Sequence, residues 1–355
     1  MKPIILREYS YKEQDVIELK KKNKIWLEKD IYKDQLRELF QITYPHVLHT
    51  IAYNQKWAYF IECRINPNIN ERGDWIYFPW SGILLHAVNE KDYQKLRTNR
   101  NQYLITQSEQ RLLYQIVVGI VGLSVGSQIA VNLSKQGIGK KLKLAEFDVI
   151  ETTNLNRVHS SLINIKNKKI ESTAKSVWEI NPYSELYLFT AGLNDHNLNV
   201  FFGNPKPDMI FEVIDDFKMK VKLRLIARKK CIPVVMFSNV GNTIIIDIER
   251  FDLFPSLSLF NNLLGDLPQR ILKDKNINAN TYAVQMVGKK FISKRASQSV
   301  KDIGKRLIGR PQINGTVTIS SGLSSYIIKA IICDKSRING RYVLNIGEVF
   351  NQSDI

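Results

Sequence analysis

Residues 145–158 read AEFDVIETTNLNRV and close an apolar run with two acids, Glu146 and Asp148. Two amides and a guanidinium follow at once: Asn154, Asn156 and Arg157. Acids at the end of a buried strand suit the hydroxyls of a ribose. Amides and an arginine suit phosphate oxygens. Upstream stands the turn GLSVGS, from Gly122 to Ser127. A glycine turn between a strand and its helix lets backbone N–H groups approach phosphates at the helix N-terminus. Here Ser124 and Ser127 stand where a G-x-G-x-x-G fingerprint has glycines, and Gly122 and Gly126 carry the turn. Glu146 comes about 24 residues after Gly122, near where a dinucleotide-binding fold places its ribose acid.

A nicotinamide-dependent dehydrogenase would share those features, but it has no need of Asn154 and Arg157. A site that attacks ATP at its α-phosphate does need them. It must cancel charge on the triphosphate and hold pyrophosphate as it leaves. Lys169 begins a helical stretch 12 positions after Arg157. Asp215 and Asp216 follow the apolar run DMIFEVI, at the strand edge where open α/β sheets bind ligands. A carboxylate there can hold Mg²⁺ between phosphates. Singly, Lys169 reads as solvated surface and Asp216 as the N-cap of the next helix. The ordered set reads as a nucleotide site.

Strand–helix alternation positions these groups. QIVVGIVG, KLKLAEF, ELYLFT, DMIFEVI and IPVVMFS read as strands, separated by the helical stretches SQIAVNLSKQ, KKIESTAKSVWEI and FKMKVKLRLIARKK. That order predicts an α/β, Rossmann-like, mostly parallel sheet with helices on both faces. TIIIDIERF and RYVLNI add C-terminal antiparallel strands, with a polar, irregular crossing segment over 262–310 and TVTISSGLSSYIIKAII as a strand or turn leading into a helix. Residues 1–95 differ in character and predict a small N-terminal α+β cap, with 96–355 as the second domain. In the cap, QDVIELKKKNKIWLEKDIYKDQLRELF reads as helical, and KWAYFIECRI and WIYFPWSGILLHAV read as strands.

The 355 residues carry a formal net charge of +17, compatible with an anionic partner such as RNA. Lys, Asn and Ile are abundant throughout, however, and the basic clusters at 20–24, 228–230 and 288–295 are scattered without interleaved aromatics. Nucleic acid is therefore not the expected partner. No run reads as the ~18 apolar residues of a membrane span. Cys63, Cys231 and Cys333 are far apart, form no CxxC pair and fit a reducing cytoplasm; Cys231 and Cys333 read as core.

The whole set resembles the adenylating domain of the E1-like superfamily of ThiF, MoeB and HesA type, within a bacterial branch that carries an added N-terminal region. The resemblance rests on RTNRN at 97–101, VGLSVGS, AEFDVIETTNLNRV, KKIES at 168–172, INP at 180–182 and EVIDD at 212–216. It implies ATP and Mg²⁺ as cofactors and a carboxylate as substrate, either a small acid or the C-terminus of a peptide or ubiquitin-like carrier. It implies Gly122, Ser124, Gly126, Ser127, Glu146, Asp148, Asn154, Arg157 and Lys169 around the nucleotide, with Glu146 on the ribose and Asp215 on the metal. It implies that Arg100 reaches the ATP site of the neighbouring subunit in a homodimer, acting with Arg157, Lys169 and Asp215. Residues 239–332 contain no cysteine, so a thioester step is not expected. Alternatives are a tRNA-modifying relative and a non-catalytic partner subunit.

Overall fold

The computed structural model describes residues 2–66, 68–273 and 279–350. The chain divides into two compact units: Met1–Gln110 with Trp178–Tyr183, and Arg111–Val177 with Ser184–Ile355.

The first unit holds a four-stranded sheet of β1 (Ile4–Leu6), β2 (Leu27–Asp30), β3 (Asp74–Phe78) and β4 (Ile83–Ala87), in the order β1-β3-β4-β2. Its helices are α1 (Glu13–Lys22), α2 (Tyr32–Thr43), α3 (Tyr53–Ile65) and α4 (Glu90–Arg97). Two expectations are corrected. The long helical reading over 14–40 is interrupted by β2, which pairs parallel to β4. KWAYFIECRI is helix α3, not a strand. Its aromatic and β-branched content favours a strand, but Trp57, Phe60, Ile61 and Ile65 recur at helical spacing. They pack against Leu36 and Leu39 of α2, with the Phe40 ring 5.5 Å from Trp57 and 5.4 Å from Phe60.

The second unit contains a seven-stranded sheet. Its strands are β5 (Val117–Val121), β6 (Lys141–Ala145), β7 (Glu185–Phe189), β8 (Met209–Glu212), β9 (Val234–Val240), β10 (Thr243–Glu249) and β11 (Gly340–Asn345). The order is β11-β10-β9-β8-β5-β6-β7. β5 to β9 run parallel, and β10 and β11 antiparallel, as the alternation and the tight turn after β9 dictate. The N-terminal part of α5 (Gln107–Gln115) belongs to the first unit. The crossovers of the second include α6 (Val125–Gln136), α7 (Lys169–Ile180), α8 (Leu198–Phe201) and α9 (Phe217–Lys229). α6 ends on Gly137 at φ +70, the left-handed C-terminal position that glycine adopts without strain.

The crossing segment is more ordered than its polar sequence implies: α10 (Leu267–Lys273), α11 (Ala279–Val287) and α12 (Lys294–Asp302) lie in it. α13 (Asn314–Ile332) then runs through the whole TVTISSGLSSYIIKAII stretch, with no strand. By length and apolar composition alone this one helix among the described residues is long enough to cross a membrane. Thr316, Thr318, Ser320, Ser321, Ser324 and Ser325 interrupt its apolar run, so the sequence alone does not read as a span here. Several of those hydroxyls sit buried, and Asn132 of α6 donates to the Ser321 carbonyl at 3.0 Å.

A buried charge network joins β8, α9 and β10. Glu212 accepts from Lys220 at 2.7 Å and from Arg224 at 2.7 Å, and Arg224 donates to Glu249 at 2.5 Å. Burial pushes the Glu212 carboxyl up, but Lys220 and Arg224 overcome it and hold Glu212 below the usual range. Burial pushes Glu249 up, against Arg224. The spare acceptor capacity serves the backbone: Ile214 N donates to Glu212 at 3.0 Å and Phe260 N to Glu249 at 2.6 Å. Phe260, Asn261 and Asn262 all have left-handed φ (+55, +50 and +62), a conformation L-residues adopt only when the surroundings impose it. Arg224 lies 4.1 Å over the Phe260 ring.

Candidate functional site

The candidate site gathers at the C-terminal edge of β5, β6 and β8, all in the second unit. β5 runs into Gly122 at φ +89, where an added Cβ would lie 2.6 Å from the Val213 carbonyl oxygen beyond β8. A Cβ on Gly126 would lie 2.7 Å from Ile120, so this glycine lets α6 sit close on β5. The two glycines thus bring the start of α6 against neighbouring strands. Gly122→Ala forces both a disfavoured φ and a backbone collision. We expect it to lower unfolding stability by about 1–3 kcal/mol, read as a shift of the urea midpoint; an unchanged midpoint would contradict this account of the turn.

Glu146 follows β6, is 7% exposed, and spends its carboxylate on backbone. It accepts from Leu123 N at 2.8 Å, Phe147 N at 2.8 Å and Asp148 N at 3.1 Å. The acid expected on a ribose therefore braces the glycine turn and its own strand end. The half-exposed carboxylate of this stretch belongs to Asp148, which accepts from Lys169 Nζ at 2.8 Å. Lys169 is buried at the start of α7, and its N–H donates to the Asp148 carbonyl at 2.9 Å. A buried ammonium with one half-exposed carboxylate partner retains donors for an anion.

The Arg157 loop is tied to α6. Gln128 Nε2 donates to the Arg157 carbonyl at 2.6 Å, and His159 N donates to Ser127 Oγ at 3.1 Å. Ser127 Oγ in turn donates to the Ser124 carbonyl at 2.9 Å, so this serine fastens loop to helix. Ser124 is the N-cap of α6, and its side chain makes no capping bond. Asn154 is buried and accepts from Glu151 N at 3.1 Å, which shapes the loop. Arg157 Nη1 donates to Thr153 O at 3.1 Å and to Asn156 Oδ1 at 2.9 Å. Its Nε is buried without a partner. Burial pushes the Arg157 guanidinium down from its ordinary value, and the charge of Asp215 pushes it back up. An orphaned buried N–H on an arginine costs on the order of 1–3 kcal/mol until an acceptor arrives.

Asp215 follows β8 and its side chain is 91% exposed. Asp216 caps α9, accepting from Met219 N at 3.0 Å, as its alternative reading has it. Among the described residues no group of three or more His, Cys, Asp or Glu side chains could enclose a metal. Mg²⁺ needs no such cage, because it is held by one or two carboxylates plus substrate phosphates and water. Asp215 already pairs with a cation, the guanidinium of Arg310. One open carboxylate beside a phosphate-type turn therefore fits the ion.

Arg310 and Gln128 were missed by sequence reasoning. Neither carries a local signal, and Arg310 meets Asp215 across 95 residues of chain. Arg100 lies exposed on a 3₁₀ turn (Asn99–Asn101) of the first unit. Cys231 is not core: it is exposed at φ +52 just before β9, at the sheet edge opposite the site. Cys333 is partly buried at the end of α13.

Comparison with known proteins bears on the fold and the family. Residues 96–243 match the ThiF family. The chain is 29% identical over 291 residues to the uncharacterized protein MT1398 of Mycobacterium tuberculosis, covering 81% of this chain and 40% of that protein. It is 26% identical over 197 residues to tRNA threonylcarbamoyladenosine dehydratase 2 of Saccharomyces cerevisiae, covering 54% of this chain and 43% of that protein. The chain thus spans about two fifths of the length of these curated relatives. Its fold is that of the solved structure of PaaA, with a TM-score of 0.51 at 22% identity, over 72% of this chain and 77% of that one. Over residues 96–243 the chain is similar to the ThiF family.

Proposed function

We propose that this chain is an ATP- and Mg²⁺-dependent adenylyltransferase that activates a carboxylate as an acyl-adenylate and releases pyrophosphate. The observation that carries the reading is the meeting of four features at one sheet edge: the glycine turn, the orphaned Arg157 Nε–H, the buried Lys169 and the open Asp215. A substrate carboxylate oxygen attacks the α-phosphorus, and the bond from that phosphorus to the pyrophosphate oxygen breaks. A carboxylate is nucleophilic at neutral pH, so the chain has only to bring two anions together and cancel charge. Arg157 and Lys169 supply that charge at the phosphates, and Asp215 would hold Mg²⁺, which would supply further charge neutralisation there. Asp148, half exposed where Glu146 is turned onto backbone, takes the ribose hydroxyls. No protein nucleophile is invoked, and Cys231 at the far sheet edge supplies none. Arg100 is proposed to complete the site of a second copy in a homodimer. The substrate is proposed to be a small acid or the C-terminus of a peptide or small carrier protein.

A second reading, adenylation of a carboxylate on modified tRNA, is favoured by the +17 charge and the likeness to the yeast tRNA dehydratase. The test is pyrophosphate release from Mg·ATP with pooled small acids and peptides, then with bulk tRNA, comparing wild type with Asp215→Asn. Release that needs the acid pool and is lost in the variant is expected. Release with tRNA alone would select the second reading. No release from either, with ATP still bound, would point to a non-catalytic partner subunit.

A further inference from the structure

Asp215 is open to water yet already paired. Arg310 Nη2 donates to its Oδ1 at 2.9 Å, with the two side chains 51% and 91% exposed. A pair so exposed contributes little, so a divalent cation arriving with a triphosphate displaces it readily. The segment around Arg310 is nevertheless anchored to the site. Asn156 Nδ2 donates to Gln312 O at 2.9 Å, and Gln128 Nε2 donates to Asn314 Oδ1 at 2.8 Å. These anchors come from the Arg157 loop and from the helix that follows the glycine turn. The two elements that carry the proposed phosphate-binding residues thus also hold the chain on which Arg310 faces Asp215.

We propose that Arg310 is a resident counter-cation of this site: it neutralises Asp215 when no metal is bound and yields the carboxylate to the divalent ion that enters with ATP. The inference rests on the nucleotide reading above. Its physical content is a difference between metal-free and metal-bound states. Without metal, a bare Asp215 repels the triphosphate, and Arg310 removes that repulsion. With metal, Asp215 is engaged by the ion and Arg310 is no longer needed there. Arg310 is therefore a positioning residue, not a catalytic one.

The experiment measures ATP affinity by titration calorimetry in EDTA and again in excess Mg²⁺, for wild type, Arg310→Ala, Arg310→Lys and Arg310→Ala with Asp215→Asn. Arg310→Ala is expected to weaken ATP binding roughly fivefold or more in EDTA, the scale of one close like charge in water. In Mg²⁺ it should stay within about twofold of wild type. Arg310→Lys and the double variant should recover most of the EDTA loss. Equal weakening in both conditions would make Arg310 a direct phosphate contact and overturn the proposal, as would no effect in either. If wild type binds ATP in neither condition, the nucleotide reading itself fails, and the proposal with it.

Discussion

Replacing Arg157 with alanine should slow the proposed pyrophosphate-releasing cleavage of ATP on the order of 10²–10³-fold, the usual effect of losing one preorganised charge at a developing anion. The expectation rests on a particular geometry. One edge of the guanidinium is occupied by Thr153 O and Asn156 Oδ1, while Nε is buried with nothing to bond. Arg157 is thus fixed in place and still one acceptor short. The loss should fall mainly on turnover, since a phosphate contact that strengthens as pyrophosphate leaves acts in the transition state. Arg157→Lys keeps the charge but not the fork, and should recover only part of the rate. Initial rates and melting temperature together check this: a rate within a few-fold of wild type, with the fold intact, would remove Arg157 from the site.

The second large effect lies beneath the site. Arg224→Ala should destabilise the second unit by about 3–5 kcal/mol, because it strips a partner from two buried carboxylates at once. Glu212 keeps Lys220, but Glu249 keeps only the Phe260 N–H. Against the 5–15 kcal/mol typical of a folded domain, this is a large share. The damage should also reach the chemistry. Glu212 holds Ile214 N, the residue before Asp215, and Glu249 with Arg224 holds the left-handed run at Phe260 where the crossing segment begins. Urea unfolding followed by circular dichroism would show the shift. A midpoint equal to wild type would mean that the network contributes nothing net.

The sheet was legible because each strand of the second unit is a short apolar run between helical stretches, a pattern that leaves few topologies. The antiparallel β10 and β11 were legible for the same reason. The candidate site was legible only as a set of residue types: Gly122, Asp148 and Asp215 come just after strands, Lys169 begins a helix, and Arg157 lies in the loop between β6 and α7. Their division of labour was not. Which of Glu146 and Asp148 turns back onto Leu123 N is decided by the backbone after β6, and strand patterning carries no record of it. Arg310 meets Asp215 only through the crossing segment, which has no periodic signal to read. α3 was misread because aromatic and β-branched residues favour strands in general, whereas here their helical spacing and the Phe40 ring decide. Cys231 looked buried beside an apolar strand, yet a left-handed turn sets it outside.

The central claim is that this sheet edge directs attack to the α-phosphorus of ATP. The most direct test follows which bond of ATP breaks, using ATP labelled separately at the α and γ positions, Mg²⁺ and the acid pool. Acyl-adenylate, recovered as AMP after its hydrolysis, and pyrophosphate as the paired products, both lost in Arg157→Ala, are the predicted result. ADP and inorganic phosphate, or AMP formation that persists unchanged in the variant, would contradict the account.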